Sequence, residues 1–301
     1  MALFSVGQDG LSGDGLGLWG GTPVPRPTPS SASAELVIQQ EPGEGARRGS
    51  GEPPHTTGAA FDRVASRYDE LWTNTNVGRF QRQAVSRHVD PLFRESAHII
   101  DLGCGTGEDA VHFSEGGIRV SAFDASPEMV RVSRDRGVDA NVLAVEELQS
   151  LAGIYDGAIS NFGALNCVSD LISLRLPLAR LIRPGGHLAI CLIGRFCLWE
   201  TIHFLSQGQI RKASRRWTGH SDSASLSLPV FYPSVTQLRR ALAPDFSLSR
   251  TAGIGVCVPP SYVSTLTAKL LTHCDAIDRR IAHLRFVRAL SDHRLLVFVR
   301  K

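Results

Sequence analysis

The stretch Ile99-Ile100-Asp101-Leu102-Gly103-Cys104-Gly105-Thr106-Gly107 sets three glycines directly after an apolar run that ends in a carboxylate. Glycine lets a backbone turn sharply and lie against a bound group with no Cβ in the way. Asp124 ends the next apolar run, 17 residues past Gly107. An acidic side chain there can accept hydrogen bonds from both hydroxyls of a ribose. Together these residues describe an adenosine site of the strand–loop–helix kind. A dinucleotide site wants its third glycine one place later and a helix start free to hold pyrophosphate. Here Glu108 and Asp109 follow the loop, and two carboxylates would repel a pyrophosphate. They suit an adenosine whose other groups are cationic, an ammonium and a sulfonium, and Asp101 can likewise attract the ammonium. The Gly-Lys-Ser/Thr of a phosphate-cradling loop does not occur at this loop.

The elements that must hold this loop are legible as an alternation. Strands are predicted at His98–Asp101, Arg119–Asp124, Ala140–Leu143, Tyr155–Ser160 and Gly186–Ile193, followed by two more at Phe246–Val258 and Arg294–Arg300. Helices are predicted at Gly107–Glu115, Ser126–Arg136 and Asp170–Ile182, with a short helical turn at Glu146–Leu151. Ser126-Pro127 reads as N-cap and first helical residue, Gly137 as a stop, and Arg183-Pro184-Gly185-Gly186 as a turn. Two helices precede the sheet, Ala59 to Trp72 and Val77 to Asp90, the second closed by Pro91. A helix is predicted at Pro233–Leu242, and an amphipathic helical insertion at 261–285 separates the last two strands. Such an alternation argues for a mostly parallel sheet with helices on both faces. Residues 1–57 differ in kind: they hold 11 of the 29 Gly and 7 of the 16 Pro. A segment so poor in apolar surface is predicted to be disordered, leaving 58–301 as the folded domain.

At this point the sequence resembles a class I S-adenosylmethionine-dependent methyltransferase. It is most similar to the group containing the ubiquinone/menaquinone biosynthesis and natural-product methyltransferases. Four stretches between Phe61 and Leu192 carry the likeness: Phe61-Asp62-Arg63-Val64-Ala65-Ser66-Arg67-Tyr68-Asp69, the glycine loop from Asp101 to Gly107, Phe123-Asp124-Ala125-Ser126-Pro127-Glu128-Met129, and Leu181-Ile182-Arg183-Pro184-Gly185-Gly186. The resemblance implies a Rossmann-like, seven-stranded α/β fold with S-adenosylmethionine as cofactor. It places Gly103, Cys104, Gly105 and Gly107 around the methionine part, Asp124 on the ribose, and Ala125 and Met129 beside the adenine. The family's adenine-reading Asp after the third strand is replaced here by Ala144, which leaves adenine to backbone groups near Val145 and Glu146 or to the Glu146 side chain. Asn161, ending the fourth strand, falls where the family contacts the methionine part. Tyr68 and Arg82 are candidates for its carboxylate.

Methyl transfer from a sulfonium is an in-line displacement that needs alignment and exclusion of water. It needs a general base only when the acceptor keeps its proton until attack. Candidates on the carboxyl side of the sheet are Glu200 and His203, three apart on one helical face, with Tyr232 and an orienting Asn166. Residues 195–232, inserted after the fifth strand, are the expected lid. Its Trp199, Phe204 and Trp217 suggest an aromatic or lipophilic acceptor, and its cluster Arg211, Lys212, Arg215 and Arg216 reads as a solvated face, with an acidic substrate or a membrane surface as the alternatives it could meet. His112 reads as structural. No Asn/Asp-Pro-Pro-Tyr/Phe follows the fourth strand, which argues against nucleobase N-methylation. A net charge of +3 with 20% charged residues is too mild for a nucleic-acid footprint, so a small-molecule acceptor is expected. A silent methyltransferase fold serving as a binding partner, or an RNA or protein methyltransferase, are the alternatives. Six cysteines without a C-x-x-C pair or zinc spacing predict no metal and a reduced, cytoplasmic setting. Met1 to Val6 lack a basic leader region, and the longest apolar run, Pro184 to Gly194, is about half a membrane span.

Overall fold

A computed structural model describes residues 57–223, 226–262 and 266–301. Segment 1–56, for which disorder was expected, lies outside the described residues. Thr57 does not: it opens the first helix, α1 (Thr57–Asp62).

The strands β1 (His98–Leu102), β2 (Arg119–Asp124), β3 (Ala140–Val142), β4 (Tyr155–Ser160), β5 (Ile182–Ile193), β8 (Phe246–Ile254) and β9 (His293–Arg300) form one seven-stranded sheet. Their order is β3-β2-β1-β4-β5-β9-β8, and β9 alone runs antiparallel to its neighbours. This is the Rossmann-like α/β arrangement. Adjacent residues along each strand go to opposite faces. Ile100, Leu188, Ile190 and Phe298 pack on one side with α5 (Arg175–Leu181) and α8 (Val235–Leu242). Ile99, Ala189, Cys191 and Val297 pack on the other, with α2 (Asn76–Val89), α3 (Glu108–Glu115) and α4 (Pro127–Asp135). Burial on both faces is why the strands read as continuous apolar runs. Strand order reverses between β1 and β4, and in such sheets the crevice outside the carboxyl ends at that point takes the ligand. The glycine loop leaves β1 there.

Several elements differ from expectation for identifiable reasons. The single helix expected at Ala59 to Trp72 is three pieces: α1, a 3₁₀ turn (Ala65–Arg67) and a π-helical turn (Asp69–Thr73). Its acidic side chains are drawn to other elements. Asp62 accepts from Ser126 Oγ at 2.5 Å and from the Glu128 N–H, and Asp69 accepts from Thr106 and Arg136. The helix expected at Asp170–Ile182 begins at Arg175, because Pro177 is tolerated only in a first turn. Arg183 to Gly186 do not break β5. They bulge out of it, so that Tyr155 pairs with Ile182 but Gly157 with His187. The last-but-one strand stops at Ile254 because the Asp278 carboxylate captures the next N–H groups, those of Val256, Cys257 and Val258. Asp278 belongs to the inserted helix α9 (Ala268–Ile281). The expected irregular lid is instead organised as α6 (Leu198–Ser206), α7 (Ile210–Ser214) and a hairpin of β6 (His220–Ser223) with β7 (Leu228–Phe231).

Candidate functional site

Along the carboxyl edge of β1, β2 and β4 runs a cavity of about 1230 Å³, counting its open mouth. Its wall starts with the loop after β1. Gly103 has φ +73° and sits so close to Ala164 that a Cβ would lie 2.2 Å from the Ala164 Cβ, while Gly105, at φ +55°, has open space where its Cβ would be. The loop is pinned to the end of β2: Gly103 and Cys104 donate their N–H groups to the Phe123 carbonyl, and Gly105 donates to Asp124 Oδ2 at 2.9 Å. The other Asp124 oxygen accepts from the Ser126 N–H at 2.9 Å. Burial raises the Asp124 carboxyl above the ordinary range, partly offset by those two N–H donors. Asp124 therefore both fixes the loop and lines the cavity.

Tyr68, Gly103, Gly105, Asp124, Ala125, Met129, Val145, Glu146 and Asn161 all meet on this wall. They are nine of the thirteen positions expected to hold the cofactor. Gly107 is not on the wall: its missing side chain makes room for Ser133, whose Oγ would be 2.3 Å from a Cβ. Cys104 turns away, its thiol near the Gly105 carbonyl. Arg82 is not free for a carboxylate. It is committed to Asp109 at 2.5 Å and stacked over Trp72 and Phe162, 5.0 and 5.1 Å from the ring centres.

Asp101, in β1, does not line the cavity either: it is 1% exposed, with Oδ2 lacking any partner among the described residues. Burial, then the nearby Asp109, push its carboxyl well above the usual range. Asn161 repeats the situation: its Nδ2 donates to Asp109 at 3.1 Å while its Oδ1 has no donor. Two buried acceptors without donors are costly as they stand. An ammonium, with three N–H donors and no acceptor, fits such a pair, whereas a phosphate does not.

The other half of the cavity is lined by Phe162, Ile193, Arg215, Val230, Tyr232 and the β6 residues Ser221, Asp222 and Ser223. Phe162, two residues past the end of β4, holds φ +52°, unusual for an aromatic residue. Thr57 and Phe61 close the near side. Phe61 stands in a stretch already singled out and Arg215 in the basic cluster, but Thr57 carries no local signal. Asn166 is fully engaged. It donates to the Phe231 carbonyl at 2.6 Å and accepts from the Ile193 N–H at 2.9 Å, tying the hairpin to β5.

Of the base candidates, Tyr232 lines this cavity, as does the orienting Asn166, whereas Glu200 and His203 do not. Glu200 is 1% exposed and bonded to Arg215, Arg216 and Tyr262. Burial acts to raise its carboxyl, but the two guanidinium groups outweigh it and hold the group below the ordinary value. An anion so held is an ion-pair partner and a poor proton acceptor. His203 lies on the same helix, hydrogen-bonded with Gln207 at 3.0 Å. The arginine cluster is likewise only half a solvated face, since Arg216 is buried between Glu200 and Asp292 and Arg215 lines the cavity. Trp199 donates to the Val256 carbonyl, Phe204 is buried in packing, and Trp217 is half exposed away from the cavity, so none of the lid aromatics lines it. His112 pairs with Asp90 on the surface.

A family model described as a methyltransferase domain matches residues 76–243. The chain belongs to that methyltransferase family. Among curated proteins it is 32% identical over 140 residues to the demethylmenaquinone methyltransferase of Mycolicibacterium vanbaalenii, a match covering 46% of this chain and 60% of that protein. It is 28% identical over 191 residues to the malonyl-[acyl-carrier protein] O-methyltransferase of Salmonella typhimurium, covering 56% and 71% respectively. The match thus spans about three-fifths of the demethylmenaquinone methyltransferases. Among solved structures, the Haloferax volcanii complex of a methyltransferase with its Trm112 activator aligns with a TM-score of 0.54. That alignment has 19% identity and covers 80% of this chain and 97% of that one, which shows a shared fold. S-adenosylmethionine is the cofactor of the family, and the donor-poor pair Asp101 and Asn161 beside the glycine loop suits its ammonium.

Proposed function

We propose that this domain transfers a methyl group from S-adenosylmethionine to a small-molecule acceptor with an apolar body and a polar edge. The observation that carries the reading is the pairing of Asp124 with two unsatisfied acceptors, Asp101 Oδ2 and Asn161 Oδ1, around one glycine loop. When bound, the cofactor supplies an electrophilic methyl on a sulfonium. Asp124 would accept from the ribose hydroxyls, using lone pairs left over from its two backbone bonds. Ala125, Met129 and Val145 would enclose the adenine, with Glu146 at its edge. Asp101 and Asn161 would take the ammonium, and Phe61 and Tyr68 would cover the methionine part and exclude water.

The acceptor would lie against Ile193, Val230 and Tyr232, with Arg215, Ser221 and Asp222 for its polar edge. Tyr232 and Ser221 share a hydrogen bond of 2.9 Å, so the tyrosine hydroxyl is already oriented. Burial raises the Tyr68 hydroxyl to about 12, so it serves as a neutral donor and not as a base. Quinol-like acceptors are favoured by the relatives named as demethylmenaquinone and ubiquinone biosynthesis methyltransferases. The setting proposed is the cytoplasm. No helix among the described residues is long and apolar enough to cross a membrane. The test is transfer of radiolabel from the S-methyl group to a panel of naphthoquinols, catechols and aliphatic acids. Label in one organic product supports the reading. Label found only in protein or RNA would replace it with a macromolecular methyltransferase.

A further inference from the structure

The inserted helix α9 presents a surface that the site does not use. Leu270 and Ile277 lie seven apart on α9, which keeps them on one side of the helix, and Leu284 follows just past its end. They are 47%, 46% and 46% exposed, and Phe286 just beyond is 85% exposed. Beside the stripe stand Lys269, Arg280 and Arg285, all exposed. The acids of this stretch face inward. Asp275 is buried against Arg87 and Arg279, and Asp278 is buried against the backbone after β8. No exposed carboxylate remains among the described residues from 266 to 290. The α6–α7 segment repeats the pattern, with Glu200 buried, Ile202, Leu205 and Ile210 exposed, and Arg211 outward. Phe204 of α6 stacks on Tyr262, six residues ahead of α9 in the chain, with 6.4 Å between ring centres. Exposed carboxylates such as Glu115, Glu128, Asp135 and Asp170 sit on other elements.

A stripe of large apolar side chains bordered by cations, with every acid turned in, matches an anionic lipid surface. The apolar side chains enter the headgroup boundary while lysine and arginine reach the phosphates. A second copy of this chain fits less well. A symmetric contact through this face would bring together the cations Lys269, Arg280 and Arg285 of both copies, with no exposed carboxylate among the described residues from 266 to 290 of either to pair them. We propose that α9, with the adjoining α6–α7 rim, seats the protein peripherally on anionic bilayers.

The experiment is sedimentation of the full chain with vesicles of phosphatidylcholine alone and of phosphatidylcholine containing about one-third phosphatidylglycerol. Binding to the anionic vesicles is expected to be at least about tenfold the stronger and to be lost between about 0.05 M and about 0.5 M salt, as surface charge is screened. Ile277→Asp with Arg280→Glu should cut that binding about tenfold or more. Both positions are exposed, so the variant should melt with wild type and bind S-adenosylhomocysteine equally, and a variant that fails this check is replaced by Leu284→Asp alone. Equal binding to both vesicle types, no binding to either, or a variant that binds like wild type would overturn the proposal. So would a dimer in analytical ultracentrifugation that Ile277→Asp dissociates, since the stripe would then be covered by a second copy.

Discussion

Asp124→Asn is the most informative change in the cavity. The substitution keeps the shape of the side chain but replaces a charged acceptor with a neutral amide. One of its two ends must then point an N–H₂ at a backbone N–H, either that of Gly105 or that of Ser126, each of which now donates across 2.9 Å. A hydrogen bond to a charged group contributes about 1.5–3 kcal/mol, and the ribose contacts proposed here are of that kind. At about 1.4 kcal/mol per tenfold, the dissociation constant for S-adenosylhomocysteine should rise about 10- to 150-fold. Equilibrium binding, with circular dichroism as the check on folding, measures this. The pH dependence carries a second, independent sign. In the free protein burial raises the Asp124 carboxyl, and ribose donors favour its ionised form. Cofactor affinity should therefore fall as pH drops through that raised value, beginning at a higher pH than an ordinary carboxylate would require. In the variant this component should vanish. An unchanged dissociation constant for Asp124→Asn, with an unchanged pH profile, would show that the ribose is held elsewhere.

Glu200→Gln should act on stability before activity. It leaves Arg215 and Arg216 short of a buried counter-charge, a loss of about 3–5 kcal/mol, so Tm should fall by many degrees. Because the Glu200 carboxyl is held below its ordinary value, its contribution is present above the usual carboxylate range and disappears as pH falls through the depressed value. Wild type should lose this increment in acid and the variant should not, as denaturant titrations at several pH values would reveal. Gly103→Ala forces a Cβ to 2.2 Å from Ala164 at φ +73°, and the backbone penalty alone is about 1–2 kcal/mol. It should lower Tm and abolish cofactor binding together, and a variant that binds normally would show that the loop has room to spare. Amide exchange in Ser221–Ser223 and Val230 should be fast in the free protein and slow with S-adenosylhomocysteine plus acceptor, while β5 stays protected throughout. Full protection of the hairpin without ligand would rule out a closing cover.

What the chain discloses before folding depends on how local the cause is. The glycine loop and Asp124 were legible because their requirements lie in the backbone of consecutive residues: a strand, a turn with φ above zero, and a second strand end. The seven strands followed from apolar runs buried on both faces, and the turn at Arg183 to Gly186 was misjudged because a bulge and a turn use the same residues. Glu200 and His203 could not be sorted from spacing alone. A helix face turned to a cavity and one turned to a buried ion pair look identical until the partners are known. The partners, Arg215 and Arg216, were visible in the sequence, but Arg216 is also held by Asp292, which lies far along the chain. Arg82 shows the same limit, since Asp109, on the neighbouring helix α3, claims it. Thr57 and Arg215 reach the cavity only through tertiary packing: nothing in the sequence marks Thr57, and Arg215 stands out only as one of a basic cluster.

Calorimetric titration of the whole chain with S-adenosylmethionine and, separately, with NAD⁺ tests the central claim most directly. A single site for S-adenosylmethionine in the micromolar range, about −8 kcal/mol, with no heat from NAD⁺, is the expected result. Binding of NAD⁺ without binding of S-adenosylmethionine would contradict it.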